Sequence, residues 1–169
     1  MMAIDPVVRI RAACANDVPA LGRLGALLVA THHDFDRTRF PPGPNTAGAY
    51  GQFLRRRLEA PDAIVLVAEA GGVVAGYAYA AVEGSDYMAL RGPAGVLYDL
   101  IVEPQRRRQG LGRALMQAAV AELTTRKVPR IVLFTAERNA DAQRLFAKCL
   151  FRKTMIEMTR DLQGDHLIA

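Results

Sequence analysis

The chain has 169 residues, 51% hydrophobic and 23% charged, with a formal net charge of +5. That length and composition suit one domain with a sizeable core over residues 1–169, and they exclude a disordered chain. No apolar run approaches the ~18 residues of a membrane-spanning helix, and two cysteines without C-x-x-C spacing, Cys14 and Cys149, exclude a disulfide framework or a cysteine-based metal site and read as reduced core or helix thiols of a cytoplasmic protein.

The N-terminal stretch MMAIDPVVRIR carries Asp5 early and no basic-then-apolar signal pattern, so no secretion is expected. Val7 to Ala12 alternates apolar and basic residues and predicts an edge or half-buried strand. Asn16 or Asp17 caps a helix around Pro19, with Val18, Leu21, Leu24, Leu28 and Val29 on one side. Gly22 and Gly25 either weaken that helix or permit close packing. Thr31 to Asn45 is polar, then proline-rich, and predicts a loop or single turn. His32 and His33 are adjacent and would not share a helix face, so no metal site is expected. Thr46 caps a second helix that ends near Ala60 and Pro61, its stripe of Tyr50, Phe53, Leu54 and Leu58 read as core.

Ala63 to Glu69 predicts a buried strand, Ala70-Gly71-Gly72 a tight hairpin turn, and Val73 to Val82 its partner. Gly76 within that partner marks a bulge or a close backbone approach. Glu83 to Gly95 is a loop with Tyr87 and Met88 either solvated or lining a pocket. Val96 to Val102 is a buried strand that Glu103-Pro104 stops. A basic turn, Gln105 to Gly112, then opens a helix running to Arg126. Arg130 to Thr135 is the next strand, parallel to the one at Val96 because a helix crossover joins them. Asn139 caps a helix over Ala140 to Lys148. Leu150 to Leu162 predicts the last strands or one long bent strand, and residues 164–169 a frayed tail.

The basic turn is the most informative stretch. A helix start has free N–H groups and the positive end of the macrodipole, yet Arg106, Arg107 and Arg108 crowd it. Either the arginines are simply solvated or an anion such as a phosphate sits there, with Gly110 and Gly112 allowing close approach of the backbone. Two phosphate loops are excluded. No Gly-Lys-Ser or Gly-Lys-Thr makes a P-loop, and Leu115 stands at the third glycine position of a dinucleotide fingerprint. The positive charge suits an anionic partner, but the arginine clusters lack interleaved aromatics, so nucleic acid is not the expected partner.

Arg107-Arg108-Gln109-Gly110-Leu111-Gly112, placed between a strand ending Leu100-Ile101-Val102-Glu103-Pro104 and a helix, resembles the signature of the GNAT superfamily of acetyl-CoA-dependent N-acetyltransferases. The resemblance implies a single α/β domain with a mixed, mostly antiparallel central sheet flanked by helices and a splayed parallel strand pair that receives the cofactor. It implies acetyl-CoA as cosubstrate, held by Leu100, Ile101, Val102, Arg107, Arg108, Gln109, Gly110, Leu111, Gly112, Arg113, Asn139 and Ala142. It implies direct acetyl transfer to a primary amine of a small molecule or protein, no membrane or nucleic-acid partner, and a possible homodimer. His32, His33, Asp34 and Tyr87 are the candidates for the acceptor site. Asp99 and Tyr98 are the catalytic candidates. Asp99 acts as a base through water, binds the substrate ammonium, or is a structural carboxylate paired with an arginine. Phe146 stands where relatives place a tyrosine acid, which keeps two alternatives open: a non-catalytic acyl-CoA-binding regulatory module and, less favoured, a basic nucleic-acid-binding domain.

Overall fold

Gly71 and Gly72 both take positive φ, 62° and 78°, which builds the two-residue turn whose twist matches its flanking strands. That hairpin joins β2 (Ala63–Ala70) to β3 (Val73–Glu83) at the middle of the sheet. The computed structural model describes residues 8–162, so Val7, the N-terminal stretch and the expected tail at 164–169 lie outside the described residues. Around the hairpin run β1 (Val8–Ala12), α1 (Val18–Phe35), α2 (Thr46–Arg57), β4 (Ala94–Val102), α3 (Leu111–Thr125), β5 (Ile131–Leu133) and α4 (Ala140–Lys148). The five strands pair in chain order, β1 to β5. The first three pairings are antiparallel and β4–β5 is parallel, as the helical crossover requires.

Alternation along the strands sorts the core into two layers. Ile64, Leu66, Ala78 and Leu97 face α3, where Leu111, Leu115, Met116 and Leu123 are buried against them. Val65, Val67, Tyr77, Tyr79 and Ile101 face the other way, onto Leu21, Leu24 and Leu54 of α1 and α2. The glycines of α1 serve close packing. A Cβ on Gly22 would lie 2.5 Å from the carbonyl oxygen of Ala47, and one on Gly25 would lie 2.3 Å from the ring of Tyr50. Gly76 answers to both expectations: its Cβ would meet the Ile101 carbonyl oxygen at 2.7 Å, and β2 and β3 shift register beside it.

Four expectations need correction. The stretch from Thr31 is helix, not loop, as far as Phe35. Thr31 Oγ1 donates to the Leu27 carbonyl, and no proline or glycine intervenes before Pro41. Asp36 stops the helix, its carboxylate taking the N–H groups of Thr38 and Arg39. Second, β5 is three residues long, not six. Third, no strand forms over Leu150 to Leu162. A strand persists only as half of a ladder, and past Leu150 and Phe151, whose N–H groups donate back to Ala147 and Phe146 of α4, this segment shows no backbone pairing among the described residues; Leu150, Met155, Ile156 and Met158 are exposed. Side-chain contacts from Glu157 to Arg39 and from Asp161 to Thr38 help attach it, and Phe151 packs on Phe146. Fourth, Cys14 is an exposed free thiol rather than a core or helix one, while Cys149 is half-buried.

Asp17 sits at the head of α1 but makes no side-chain cap bond to it. It is buried instead in a bidentate pair with Arg11, at 2.7 and 2.9 Å, and accepts the Cys14 N–H at 2.8 Å. Those bonds hold its carboxyl down at about 2. A folded-state value below the ordinary one contributes stability that is present above pH ~4 and is lost as pH falls toward 2. Asp17→Asn is expected to lower the unfolding free energy by about 2 kcal/mol at neutral pH, with the urea midpoints of the two proteins converging as the buffer is acidified toward pH 2.

Candidate active site

β4 holds one more residue than β3 across their shared register. Tyr79 lies opposite Asp99 and Ala80 opposite Leu97, so Tyr98 is the surplus. A bulge re-aims side chains, and here Tyr98 and Asp99 both look toward α1 and α2. They border a cavity of about 480 Å³ whose other walls are Tyr50, Phe53 and Arg57 of α2, Asp62, and Tyr79, Ala81 and Glu83 of β3.

Asp99 is the floor, 8% exposed. The hydroxyl of Tyr77 donates to it at 2.9 Å. Burial pushes the Asp99 carboxyl up to about 6, against the opposing pulls of the Tyr77 hydrogen bond and of His32. Tyr77 and Tyr50 are pushed up by burial first and then by the charge of Asp99, so both hydroxyls remain protonated. The rim is different. The Tyr98 ring stacks on Tyr79 at 5.2 Å, its hydroxyl donates to Glu83, and Arg91 pairs with the same carboxylate. Arg57 pairs with Asp62 and lies over the Tyr79 ring.

On the other side of Asp99 the sheet opens. β4 and β5 pair only through Gly95–Ile131, Val96–Val132 and Leu97–Leu133, leaving β4 from Tyr98 onward with a free edge among the described residues. The Glu103 N–H donates to Ala75 of β3 at 2.8 Å. By alternation along an extended strand, the main-chain groups of Leu100 and Val102 therefore point to the free edge. The Val102 carbonyl accepts Arg107 Nε at 3.2 Å. Thr135, just past β5, has a buried hydroxyl without a hydrogen-bond partner, a state that normally asks for one.

The glycine turn completes this face. Arg108 and Gly110 take positive φ, 62° and 86°, and the N–H groups of residues 108–113 have no acceptor among the described residues. The free edge, the orphan hydroxyl and this row of amides at the head of α3 suit an extended, amide-bearing chain ending in a diphosphate. Gly112 leaves ordinary room: a Cβ there would meet only Leu145 at 3.6 Å and Val102 at 3.8 Å.

The remaining sequence candidates are placed as follows. Leu100 and Val102 pack toward α3 and Ile101 toward α1 and α2. Asn139 caps α4 by accepting the Ala142 N–H at 3.2 Å, so those two residues bond each other. His32 meets Phe35 and Phe40 edge-on, close enough to Asp99 to act on its charge. His33 Nδ1 lies 3.1 Å from the Phe40 carbonyl oxygen. Asp34 is exposed, and Tyr87, 87% exposed, does not line the cavity. Phe146 is buried, edge-on to Phe151. Sequence reasoning missed Tyr77, Tyr79, Glu83 and Thr135, and read Tyr50 and Phe53 only as core. The signal for two of them was present: Tyr77 and Tyr79 recur at period two in a strand whose other residues, up to Glu83, are alanine, valine and glycine. Among the described residues no group of three His, Cys, Asp or Glu side chains could hold a metal ion, and no helix is long and apolar enough to cross a membrane.

Residues 28–151 match the model of the acetyltransferase (GNAT) family. The mycothiol acetyltransferase of Thermobispora bispora is 33% identical over 112 residues, 62% of this chain and 36% of that protein. That of Acidothermus cellulolyticus is 34% identical over 111 residues, 59% of this chain and 34% of that protein. The chain thus spans about a third of the length of the curated relatives it matches. Among solved structures, a mutant of the BH1408 protein from Bacillus halodurans superposes with a TM-score of 0.80 at 18% identity, covering 91% of this chain and 99% of that one. A predicted acetyltransferase from Clostridium acetobutylicum, solved with acetyl-CoA, superposes with a TM-score of 0.71 at 16% identity, covering 95% of this chain and 100% of that one.

The buried pair makes a spectroscopic prediction. A carboxyl-carbon NMR titration should show Asp99 ionising near pH 6. Tyr77→Phe removes a donor to the carboxylate and should move the midpoint upward; an unchanged midpoint would mean that the hydrogen bond does not hold in solution.

Proposed function

The chain belongs to the acetyltransferase (GNAT) family, and on that premise we propose that it transfers acetyl from acetyl-CoA to a primary amine by direct attack in a ternary complex. The family is acetyl-CoA-dependent, and the chain is an acyltransferase. The observation that carries the proposed mechanism is the position of Asp99, the carboxyl on the cavity floor without an ion-pair partner, on the same strand as the free edge of β4.

Residues 108–113, with Arg107 beside them, hold the diphosphate. The main-chain groups of Leu100 and Val102 hold the pantetheine arm, and the hydroxyl of Thr135 faces it from β5's side. Bound acetyl-CoA supplies the acyl carbon and the thiol leaving group. Asp99 accepts the proton that the acceptor nitrogen sheds as the C–N bond forms and the C–S bond breaks. An N–H on the open edge stabilises charge on the carbonyl oxygen. Phe146 has no proton to give and the Tyr98 hydroxyl is engaged by Glu83, so water protonates the departing sulfur. A homodimer belongs to this proposal by family resemblance, and light scattering checks it.

The buried Phe146 favours one competing function, a non-catalytic acyl-CoA-binding module. Turnover of any amine above the blank excludes it. The first test is calorimetric titration with acetyl-CoA, with NAD and ATP as controls at the same salt, followed by an amine screen scored by thiol release. A mycothiol-type acceptor, taken from the relatives' name, belongs in that screen.

Three substitutions probe the parts separately. Gly112→Asp puts a negative charge at the head of α3, beside the amides proposed to hold the diphosphate, and should abolish acetyl-CoA binding, whereas Gly112→Ala, whose Cβ meets Leu145 and Val102 at ordinary contact distance, should fold normally. Thr135→Val should weaken acetyl-CoA binding by about two- to tenfold, the worth of one neutral hydrogen bond, without destabilising the free protein. Asp99→Asn should lower kcat by about 10²-fold while leaving acetyl-CoA affinity unchanged, and the wild-type rate should rise through pH 6 as Asp99 ionises.

A further inference from the structure

The charges lining the cavity narrow the acceptor. Three carboxylates reach it, from Asp62, Glu83 and Asp99. Asp62 is bridged by Arg57, and Glu83 by Arg91 and the Tyr98 hydroxyl. Asp99 has a neutral hydrogen-bond partner, Tyr77, and feels the nearby His32. Among the described lining residues, one carboxylate is therefore left to face a cation.

The walls between that carboxylate and solvent are rings. Tyr79 is 5% exposed, while Phe53 and Tyr98 are 39% and 44% exposed, so the last two form the mouth. Phe53 meets Tyr79 edge-on at 5.6 Å, and Tyr98 stacks on its face. Ring faces attract an ammonium group and pack well against planar apolar surface. A second or third ammonium finds no unpaired carboxylate in this lining, because Asp62 and Glu83 already hold Arg57 and Arg91.

We propose that the acceptor is a small monoamine on a planar apolar body, its nitrogen at Asp99 and its body against Tyr98 and Phe53. This selects among the amines open to the acetyl transfer proposed above, and it rests on that transfer. Polyamines and aminoglycosides are disfavoured because each carries several cations, and a lysine side chain because it has no planar body to fill the mouth.

The experiment is a set of acceptor kinetics on the whole chain, with acetyl-CoA binding measured by calorimetry on the same preparation. 2-Phenylethylamine is expected to show a kcat/KM at least about tenfold above spermidine, kanamycin and a lysine-containing peptide, the size of discrimination an apolar pocket supplies. Arg91→Gln, which leaves Glu83 without its ion-pair partner, should raise spermidine relative to 2-phenylethylamine. Tight acetyl-CoA binding with spermidine, kanamycin or the peptide as the best acceptor would overturn the monoamine assignment and leave the acetyl transfer standing. Tight acetyl-CoA binding with no turnover and no calorimetric binding of 2-phenylethylamine would overturn it as well. Failure to bind acetyl-CoA would remove the acetyl transfer and this assignment with it.

Discussion

With Tyr79 facing Asp99 and Ala80 facing Leu97, β4 carries in Tyr98 a residue that has no opposite number on β3. The rest of the site depends on that surplus. Without it, strict alternation would send Tyr98 and Asp99 to opposite faces of the sheet. With it, both look onto α1 and α2, and the parity of the backbone changes in step. Before the bulge Gly95 donates to Arg130 on the β5 side, whereas after it Glu103 donates to Ala75 on the β3 side. The same surplus residue thus aims the acid at the cavity and sets which main-chain groups line the free edge of β4.

A carboxyl buried to this degree is unfavourable when ionised, and the structure meets the difficulty in part. Tyr77 donates one hydrogen bond and His32 adds a favourable field, yet burial still prevails and the carboxyl stays near 6. That balance suits a group which must be ionised at neutral pH and still hold a proton for part of a cycle. The cavity around it exists because α1 and α2 touch. Gly22 lets the Ala47 carbonyl approach, and Gly25 lets the Tyr50 ring lie close against α1. Side chains at either glycine would push α2, and with it Phe53 and Arg57, off the cavity.

Much of the fold was legible in the sequence. Apolar–basic alternation marked β1, near-continuous apolar runs marked β2, β3 and β4, one glycine pair marked the hairpin, and helical spacing with a proline and an asparagine marked α1 and α4. The errors came where a local pattern was a poor proxy for pairing. Thr31 to Phe35 looked polar enough for a loop, but Thr31 and His32 satisfy their polar groups against carbonyls of the preceding helical turn. Leu150 to Leu162 carried spaced apolar residues, but a strand needs a neighbour, and β5 ends after three residues without pairing to this segment.

The local sequence by itself determined the glycine turn, the stop at Pro104 and the helix that follows, because φ at glycine and the missing N–H of proline are properties of single residues. It also marked Asp99 as an acid in an apolar strand. Only the tertiary structure decided what surrounds that acid. Tyr77 is 22 residues away, Tyr50 comes from another helix, and Thr135 lies beyond the crossover. Whether Glu83 and Asp62 remain free or are paired with Arg91 and Arg57 is likewise settled only when loop and strand meet. Charge pairing, burial and the orphan hydroxyl depend on distances between remote parts of the chain, and periodicity along the chain does not encode them.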